Sequence, residues 1–296
     1  MRQGSLYLVA TPIGNLRDIT VRACEILASA DLVLCEDTKI TSLLLSYHDI
    51  KANLLSYHEH NMESRHPQIM ERLAAGETVA LVSDAGTPLL SDPGNRLVKL
   101  ALEAGITVRV IPGASAALTG ILASGLDTER FTFEGFLPAR GKERRERLAE
   151  ITAEKRTMIL YEAPHRLKRT LSDLKDEEGF RDRRVSIGRE LTKEYEEYLY
   201  FTLQEAVNYY KEMTPRGEFV LVLEGKAEFD ARRQPAEITR LEQESLDELI
   251  RERLAQGLRL RQIAKEISEL TGMAANDIYE RGLQLKGVKT GPPRLN

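Results

Sequence analysis

Residues 78–94 read Thr-Val-Ala-Leu-Val-Ser-Asp-Ala-Gly-Thr-Pro-Leu-Leu-Ser-Asp-Pro-Gly. Thr78–Ser83 is a short apolar, β-prone run, and Asp84–Gly94 packs two Asp, two Pro and two Gly into 11 residues. A helix is expected over Pro93–Ala104, with Leu97, Val98 and Ala101 on one face and Gly105 where a C′ residue belongs. A second apolar run, Ile106–Ile111, follows. Strand, loop, capped helix and strand make a βαβ unit, and such units build a mostly parallel sheet. A surface loop can share the composition of Asp84–Gly94. Its place at the carboxyl end of a buried strand argues instead for a ligand loop, because open parallel sheets bind ligands there.

The same alternation extends towards the N-terminus. Ser5–Ala10 and Asp31–Cys35 are further strand-like runs; Thr20–Ala30 is expected to be a helix capped by Thr20, and Glu63–Ala75 another that ends at Gly76. Thr11-Pro12-Ile13-Gly14-Asn15 follows the first strand. Pro12 fixes its φ and Gly14 permits close approach to the backbone, although a tight turn alone explains both. After Ile111, Pro112-Gly113-Ala114-Ser115-Ala116 sets small residues and a hydroxyl at a helix start, where Ser115 is at least an N-cap. Neither a G-x-G-x-x-G fingerprint nor a Walker loop occurs, which disfavours those nucleotide-driven classes.

Beyond Asp127 the rhythm changes. Strands are expected at Phe131–Phe136, Thr157–Tyr161, Arg184–Arg189, Tyr198–Thr202 and Phe219–Leu223, with helices at Glu143–Ala153, Pro164–Lys175 and Leu203–Lys211. Shorter spacings and fewer crossovers suggest a mixed sheet. Ala227–Pro235 has a linker's composition. After it, Leu246, Leu249, Ile250 and Leu254 form one helical stripe and Leu260, Ile263, Ile267 and Leu270 another, interrupted at Thr271-Gly272 and resumed over Ala274–Leu285. A helix-turn-helix and a plain helical cap fit that pattern equally. The expected organisation is an N-terminal α/β domain over 1–115, a second α/β domain over 116–226 and a helical extension over 236–296.

The chain has 296 residues, 42% apolar and 30% charged, and a net charge of −4. That excludes a uniformly basic nucleic-acid binder but leaves room for a local basic patch. One such patch is Arg140–Arg147, with five positive and two negative charges, and residues 251–296 carry nine Lys/Arg against five Asp/Glu. Two cysteines, Cys24 and Cys35, cannot frame a disulfide scaffold, and no signal peptide is visible; both point to a cytoplasmic protein. The longest uncharged stretch, Val110–Leu126, is broken by Pro112 and three glycines, so no membrane span is expected. His58 and His60, with His48 and His66 nearby, imitate a metal cluster but lack the usual spacing, and no metal is expected. Cys35 is flanked by Glu36 and Asp37, which disfavour a thiolate.

Taken together the motifs resemble the tetrapyrrole-methylase superfamily, whose members bind S-adenosylmethionine between two α/β domains. The closest resemblance is to the branch that 2′-O-methylates a cytidine of small-subunit (16S) ribosomal RNA. It rests on Thr11–Leu16 with Asp18, Cys35–Thr38, Ser56–Asn61, Asp84–Gly94, Gly135–Pro138, Tyr161–Arg166, Arg189–Lys193 and Arg216–Glu218. These span Leu6 to Gly225 in the expected order. Where other branches have Gly-Asp-Pro, this chain has Ser83-Asp84-Ala85, which fits the RNA branch.

The resemblance implies a homodimer with S-adenosylmethionine as cofactor and the small ribosomal subunit or its RNA as partner. It implies that Thr11, Pro12 and Gly14 line the crevice, that Asp84, Thr87, Ser115 and Ala116 hold the cofactor, and that Tyr161, Glu162 and Glu218 approach from the second domain. A ribose hydroxyl must lose its proton to become nucleophilic, so a base or a neighbouring cation is required. Glu190 and Lys193 are the first candidates, sharing a face if Arg189–Lys193 starts a helix, followed by Asp37. Lys39, Arg140, Lys142, Arg144, Arg145 and Arg166 are candidates for RNA phosphates. Two alternatives stay open: a precorrin-type small-molecule methyltransferase, and a non-catalytic RNA-binding assembly factor.

Overall fold

The computed structural model describes residues 4–271 and 273–286, with backbone alone for 234–244. The chain divides into two compact units, Met1–Phe229 and Asp230–Asn296. The first contains both sheets.

The first sheet comprises β1 (Ser5–Val9), β2 (Leu32–Cys35), β3 (Leu54–Ser56), β4 (Thr78–Val82) and β5 (Thr107–Ile111), in the order β3-β2-β4-β1-β5, all parallel. Its central strands are buried on both faces, which is why they are continuous apolar runs. The helices α1 (Val21–Ser29), α2 (Thr38–Tyr47), α3 (Met62–Ala74) and α4 (Asn95–Glu103) return the chain between strands. Thr20 caps α1 by accepting from the Ala23 amide, as expected, and Gly105 stands at φ +75° beyond α4. α2 and β3 escaped the sequence reading. α2 carries β-branched and Ser residues that weaken helix propensity, and β3 is only three residues long.

α5 (Ala116–Leu122) leads into the second sheet: β6 (Phe131–Phe136), β7 (Thr157–Glu162), β8 (Arg184–Arg189), β9 (Glu197–Thr202) and β10 (Phe219–Leu223), in the order β6-β7-β10-β8-β9. β6 and β7 are parallel and the remaining pairs antiparallel, a mixed sheet. α6 (Gly141–Ala153), α7 (Pro164–Asp176) and α8 (Leu203–Lys211) connect its strands. The two halves share an apolar seam in which Ile13, Ala117, Ile121 and Leu191 pack with Ile159, Val220 and Val222. Burying a side chain of that size stabilises by about 1.5–3 kcal/mol, so the seam holds the two sheets at fixed separation.

α9 (Lys226–Ala255) replaces the expected linker. Ala227–Pro235 holds two Ala, two Arg and one Glu, which are strong helix formers, and its charge imitates a loop only in composition. In the second unit, Leu246 and Ile250 of α9 pack with Ile263, Ala264 and Ile267 of α10 (Leu260–Thr271) and Ile278 of α11 (Ala275–Leu285). Arg281 clamps Asp247 through two hydrogen bonds of 2.8 and 2.9 Å. Leu270, expected on the inner stripe, is exposed. Gly272, Lys289 and Arg294 lie outside the described residues.

Candidate functional site

Four loops leave the carboxyl ends of β1, β2, β4 and β5 on one edge of the first sheet, because parallel strands all point one way. They are tied to one another through backbone and short side chains. The Thr11 amide donates to the Gly86 carbonyl at 2.9 Å and the Gly86 amide returns to the Thr11 carbonyl at 3.1 Å. The Thr11 hydroxyl donates to the Ser83 carbonyl, and the Thr87 hydroxyl to the Ala114 carbonyl. Leu89 and Ser91 hold left-handed φ values of +73° and +68°, conformations that cost energy for side chains with a Cβ. The loop Asp84–Gly94 is therefore a held conformation.

The second sheet supplies the opposite wall. β10 runs antiparallel to β7, so Phe219 at its start pairs with Glu162 at the end of β7. Glu162 and Glu218 thus arrive at the same edge, although 56 positions separate them in the chain.

Between these walls is a cavity of about 560 Å³, within the usual range for small organic ligands. Ile13, Leu90, Phe136, Tyr161, Leu191 and Val220 make its apolar surface. Its ionisable lining is acidic: Asp84, Asp92, Glu162 and Glu218, with His165 and no lysine or arginine among the lining residues. Burial pushes the Asp92 carboxyl up to about 6, and the neighbouring charges of Glu36 and Asp84 add to it against the Ser83 hydroxyl. Burial raises Glu36 as well, with Asp84 adding to it. The Tyr161 hydroxyl accepts from the Ala117 amide at 3.2 Å, and burial raises its pKa. An apolar, aromatic-edged cavity with a net negative lining suits an organic cation.

Seven of the ten residues proposed for the cofactor line this cavity: Asp84, Thr87, Ser115, Ala116, Tyr161, Glu162 and Glu218. Thr11, Pro12 and Gly14 do not. Thr11 is buried beneath the lining as the tie between loops. At Gly14 the close approach is made by the second half of the chain: a Cβ there would meet Lys193 Cγ at 2.3 Å and Thr192 Oγ1 at 2.9 Å. The residue has to be small, but a side chain makes that demand rather than a ligand.

Glu162 lines the cavity with a carboxylate already engaged. It accepts from the Ala163 amide at 2.9 Å and from the Thr170 hydroxyl, and Arg166 Nε lies 3.4 Å away. Behind Thr170 stands Arg144, 3% exposed, donating to Thr170 Oγ1 at 3.0 Å, to Asp173 and to the Pro138 carbonyl. Arg166 also donates to the Leu137 carbonyl. Arg144 and Arg166, expected on an RNA face, are internal braces, because buried carbonyls and carboxylates consume their N–H groups. Arg140, Lys142, Arg145 and Lys39 are exposed.

Arg189–Lys193 is not a helix. Glu190 at φ +50° and Thr192 at φ +67° fold it into a turn, which still brings Lys193 Nζ to 2.9 Å from Glu190. Lys193 reaches Glu218 at 2.9 Å as well, and Glu190 accepts from the Glu218 amide. Burial pushes the Glu190 carboxyl up, but its bonds to Lys193 and the Glu218 amide outweigh that and hold it below the usual range. Glu190 is thus a stabilised anion, a poor base. Asp37 is a brace as well: its carboxylate caps α2 by accepting from the Lys39 amide at 2.7 Å, and its own amide donates to Asp84 at 3.0 Å.

His66 hydrogen-bonds Tyr57 at 2.9 Å, His48 the Leu16 carbonyl and His58 the Asn61 amide group. Among the described residues no group of three or more His, Cys, Asp or Glu is placed to hold a metal. No helix among them is long and apolar enough to cross a membrane. The sequence reading missed Asp92, Phe136, His165 and Leu191 as lining residues. Asp92 stood in the very loop that marked the site, and Phe136, His165 and Leu191 stood in the motifs Gly135–Pro138, Tyr161–Arg166 and Arg189–Lys193 without being singled out as lining residues.

Residues 5–207 match the model of a family described as Tetrapyrrole (Corrin/Porphyrin) Methylases. Among similar proteins, Ribosomal RNA small subunit methyltransferase I of Halalkalibacterium halodurans is 48% identical over 279 residues, 94% of each chain. The protein of that name from Escherichia coli O157:H7 is 42% identical over 287 residues, 96% of each. Among solved structures, a diphthine synthase matches with a TM-score of 0.60 at 19% identity, covering 81% of this chain and 100% of that one. A Thermus thermophilus uroporphyrin-III C-methyltransferase complexed with S-adenosyl homocysteine matches at 0.55 and 17%, covering 77% and 98%. These two likenesses concern the fold.

Proposed function

The chain belongs to the family of tetrapyrrole (corrin/porphyrin) methylases, and from that premise we propose that it transfers a methyl group from S-adenosylmethionine to small-subunit ribosomal RNA, at the 2′-hydroxyl of a cytidine. The observation that carries the reading is the acidic lining of the cavity between the two sheets, with no lysine or arginine among the lining residues. S-adenosylmethionine bears a sulfonium, an ammonium and one carboxylate on an adenosine body, a net positive charge, and the acidic lining fits its two cationic groups.

When bound, the cofactor supplies an electrophilic methyl group activated by the positive sulfur. The chain's own residues do the rest. Asp84, Thr87, Ser115 and Ala116 form the binding wall on the first sheet, and Tyr161, Glu162 and Glu218 the wall on the second. Thr11, Pro12 and Gly14 hold the first loop behind that surface. Glu190 and Lys193 fix Glu218, and Asp37 fixes Asp84. Ile13, Leu191 and Val220 of the apolar seam line the cavity and keep water from that wall. Orientation of the acceptor oxygen in line with the methyl group accounts for much of the expected rate.

Arg140, Lys142, Arg145 and Lys39 are the proposed phosphate contacts, exposed on an otherwise acidic protein. The reading includes a cytoplasmic homodimer. The exposed Leu118 and Leu122, one turn apart on α5, support a protein–protein contact, and sedimentation equilibrium tests it. The test of the function is methyl transfer from labelled S-adenosylmethionine to small subunits lacking their native methylation, followed by nucleoside analysis. Label recovered as 2′-O-methylcytidine is the expected result. Cofactor binding without any labelled RNA overturns the reading.

A further inference from the structure

We propose that Phe136 is the platform on which the acceptor nucleobase of the RNA stacks, with Leu90 closing on that base from the facing wall. The assignment rests on the methyltransferase reading above and deepens it, because it names the part of the cavity that takes the acceptor.

β6 carries an irregularity at this point. Residues three apart on a regular strand point to opposite faces. Yet the rings of Phe133 and Phe136 both pack edge-on to the Tyr161 ring, with centroids 5.0 and 5.7 Å away. A bulge makes this possible: the pairing of β6 with β7 slips between Phe133 and Gly135, and Gly135 takes φ +61°. A Cβ at Gly135 would also lie 3.0 Å from Ser91 Oγ, so the first sheet's loop stands against the bulge. The extra residue turns Phe136 to the cavity, which it lines.

Phe136 is held yet uncovered. Two arginines fasten the chain just after it, Arg166 donating to the Leu137 carbonyl and Arg144 to the Pro138 carbonyl at 2.9 Å. Leu137 is buried, and the Tyr161 hydroxyl is fixed by the Ala117 amide. Even so, Phe136 is 49% exposed, and Leu90 on the facing wall is 41% exposed. Leu90 stands between Leu89 and Ser91, both left-handed, so its loop is held as well. Two fixed apolar groups, one on each wall and each half bare, make a slot for a flat aromatic group.

Charge decides which flat group that is. The ionisable lining is acidic with no lysine or arginine in it, so RNA phosphates are repelled from the cavity. A nucleotide that enters is gripped by its base instead. The exposed cations Arg140, Lys142 and Arg145 begin four residues after Phe136, at the start of α6. Four residues of chain span at most about 14 Å, so phosphates held there bring a neighbouring base to Phe136. A basic track beside an aromatic ring is how proteins hold single-stranded nucleic acid. A nucleotide that reacts inside a pocket leaves its own stack to enter it, and the ring replaces the lost stacking partner. Every base has a π face, so Phe136 holds the acceptor base and does not select it.

The experiment compares wild type with Phe136→Ala, Phe136→Tyr, Phe136→Trp and Leu90→Ala. Expected for Phe136→Ala is S-adenosylmethionine affinity within about 3-fold of wild type by calorimetry, and kcat/KM for small subunits lower by about 5–150-fold, the usual weight of one stacked base. Phe136→Tyr, which keeps the ring, retains most of the transfer, and Leu90→Ala shows the same pattern with a smaller loss. The chain contains no tryptophan, so Phe136→Trp carries a single fluorophore at the site. Its emission is quenched by a short oligocytidylate and not by an abasic ribose-phosphate chain of the same length. Equal responses to the two overturn the assignment, because phosphate contacts alone then hold the strand. Wild-type transfer by Phe136→Ala overturns it as well. So does cofactor affinity that falls as far as kcat/KM, because the ring then packs against the donor. A wild type that binds cofactor yet labels no RNA overturns the methyltransferase reading and this assignment together.

Discussion

At the edge of the first sheet the cavity wall is held largely through backbone: Thr11 and Gly86 exchange amide–carbonyl bonds, the Thr87 hydroxyl donates to the Ala114 carbonyl, and small residues set the shape. At the edge of the second sheet the wall is built from side chains: Arg144, Thr170, Glu162 and Arg166 form a buried charged network that stiffens β7 and α7. The difference teaches how the two sheets tolerate change. A backbone wall depends on where the strands end, which the whole sheet decides. A side-chain wall depends on a few polar groups, each of which leaves a buried partner unsatisfied when lost.

The sharpest way to break this contrast is Arg144→Ala. It leaves Thr170 Oγ1 and the Pro138 carbonyl without their donor and Asp173 with Arg169 alone. A loss of about 3 kcal/mol is expected, discounted because Asp173 is partly exposed, and chemical denaturation checks it. Gly14→Ala probes the joint between the two walls. Its Cβ meets Lys193 and Thr192, so a cost of about 2 kcal/mol from overpacking is expected in the melting temperature.

Thr170→Val keeps the shape but removes the hydroxyl linking Arg144 to Glu162. About 1–2 kcal/mol is expected, with a matching fall in S-adenosylmethionine affinity by calorimetry. On the backbone wall, Asp92 titrates near 6 folded against an ordinary 3.8. Its raised value means that the folded state holds the proton more tightly, so stability falls as pH rises from about 4 to about 6. The effect is about 1 kcal/mol after allowance for solvent screening. Asp92→Asn abolishes this pH dependence in urea midpoints. The smallest effect on stability belongs to Arg145→Ala, next to Arg144 but exposed. It changes stability by less than about 0.5 kcal/mol and instead lowers the salt slope of RNA binding by about 1.

Much of the fold is readable because its signals are local. Buried parallel strands must be apolar along their length, as in Thr78–Val82 and Leu32–Cys35, and helices carry caps such as Thr20. α2 and β3 were missed because one has weak propensity and the other is too short to show a period. The Ala227–Pro235 segment was misread because charge alone does not separate a loop from an exposed helix. In the site, residues on the marked loops were found, whereas Phe136 and Leu191 reach it only through the second sheet's position.

Sequence by itself determined the strands of the two sheets other than β3, the three turns at the cavity, and the acidic and small residues in them, since period, caps and turn chemistry act within a few residues. Only the tertiary structure decided which charges are free. Arg144 and Arg145 are neighbours of one type, and helical geometry sends one inward to three acceptors, Thr170, Asp173 and the Pro138 carbonyl, and the other to solvent. Glu190 was read as a base and Asp92 passed over, yet folding gave the Glu190 carboxylate a lysine and the Glu218 amide and left Asp92 among like charges. The basicity of a carboxylate follows from its desolvation and its partners, and those are assigned by contacts between residues far apart in the chain.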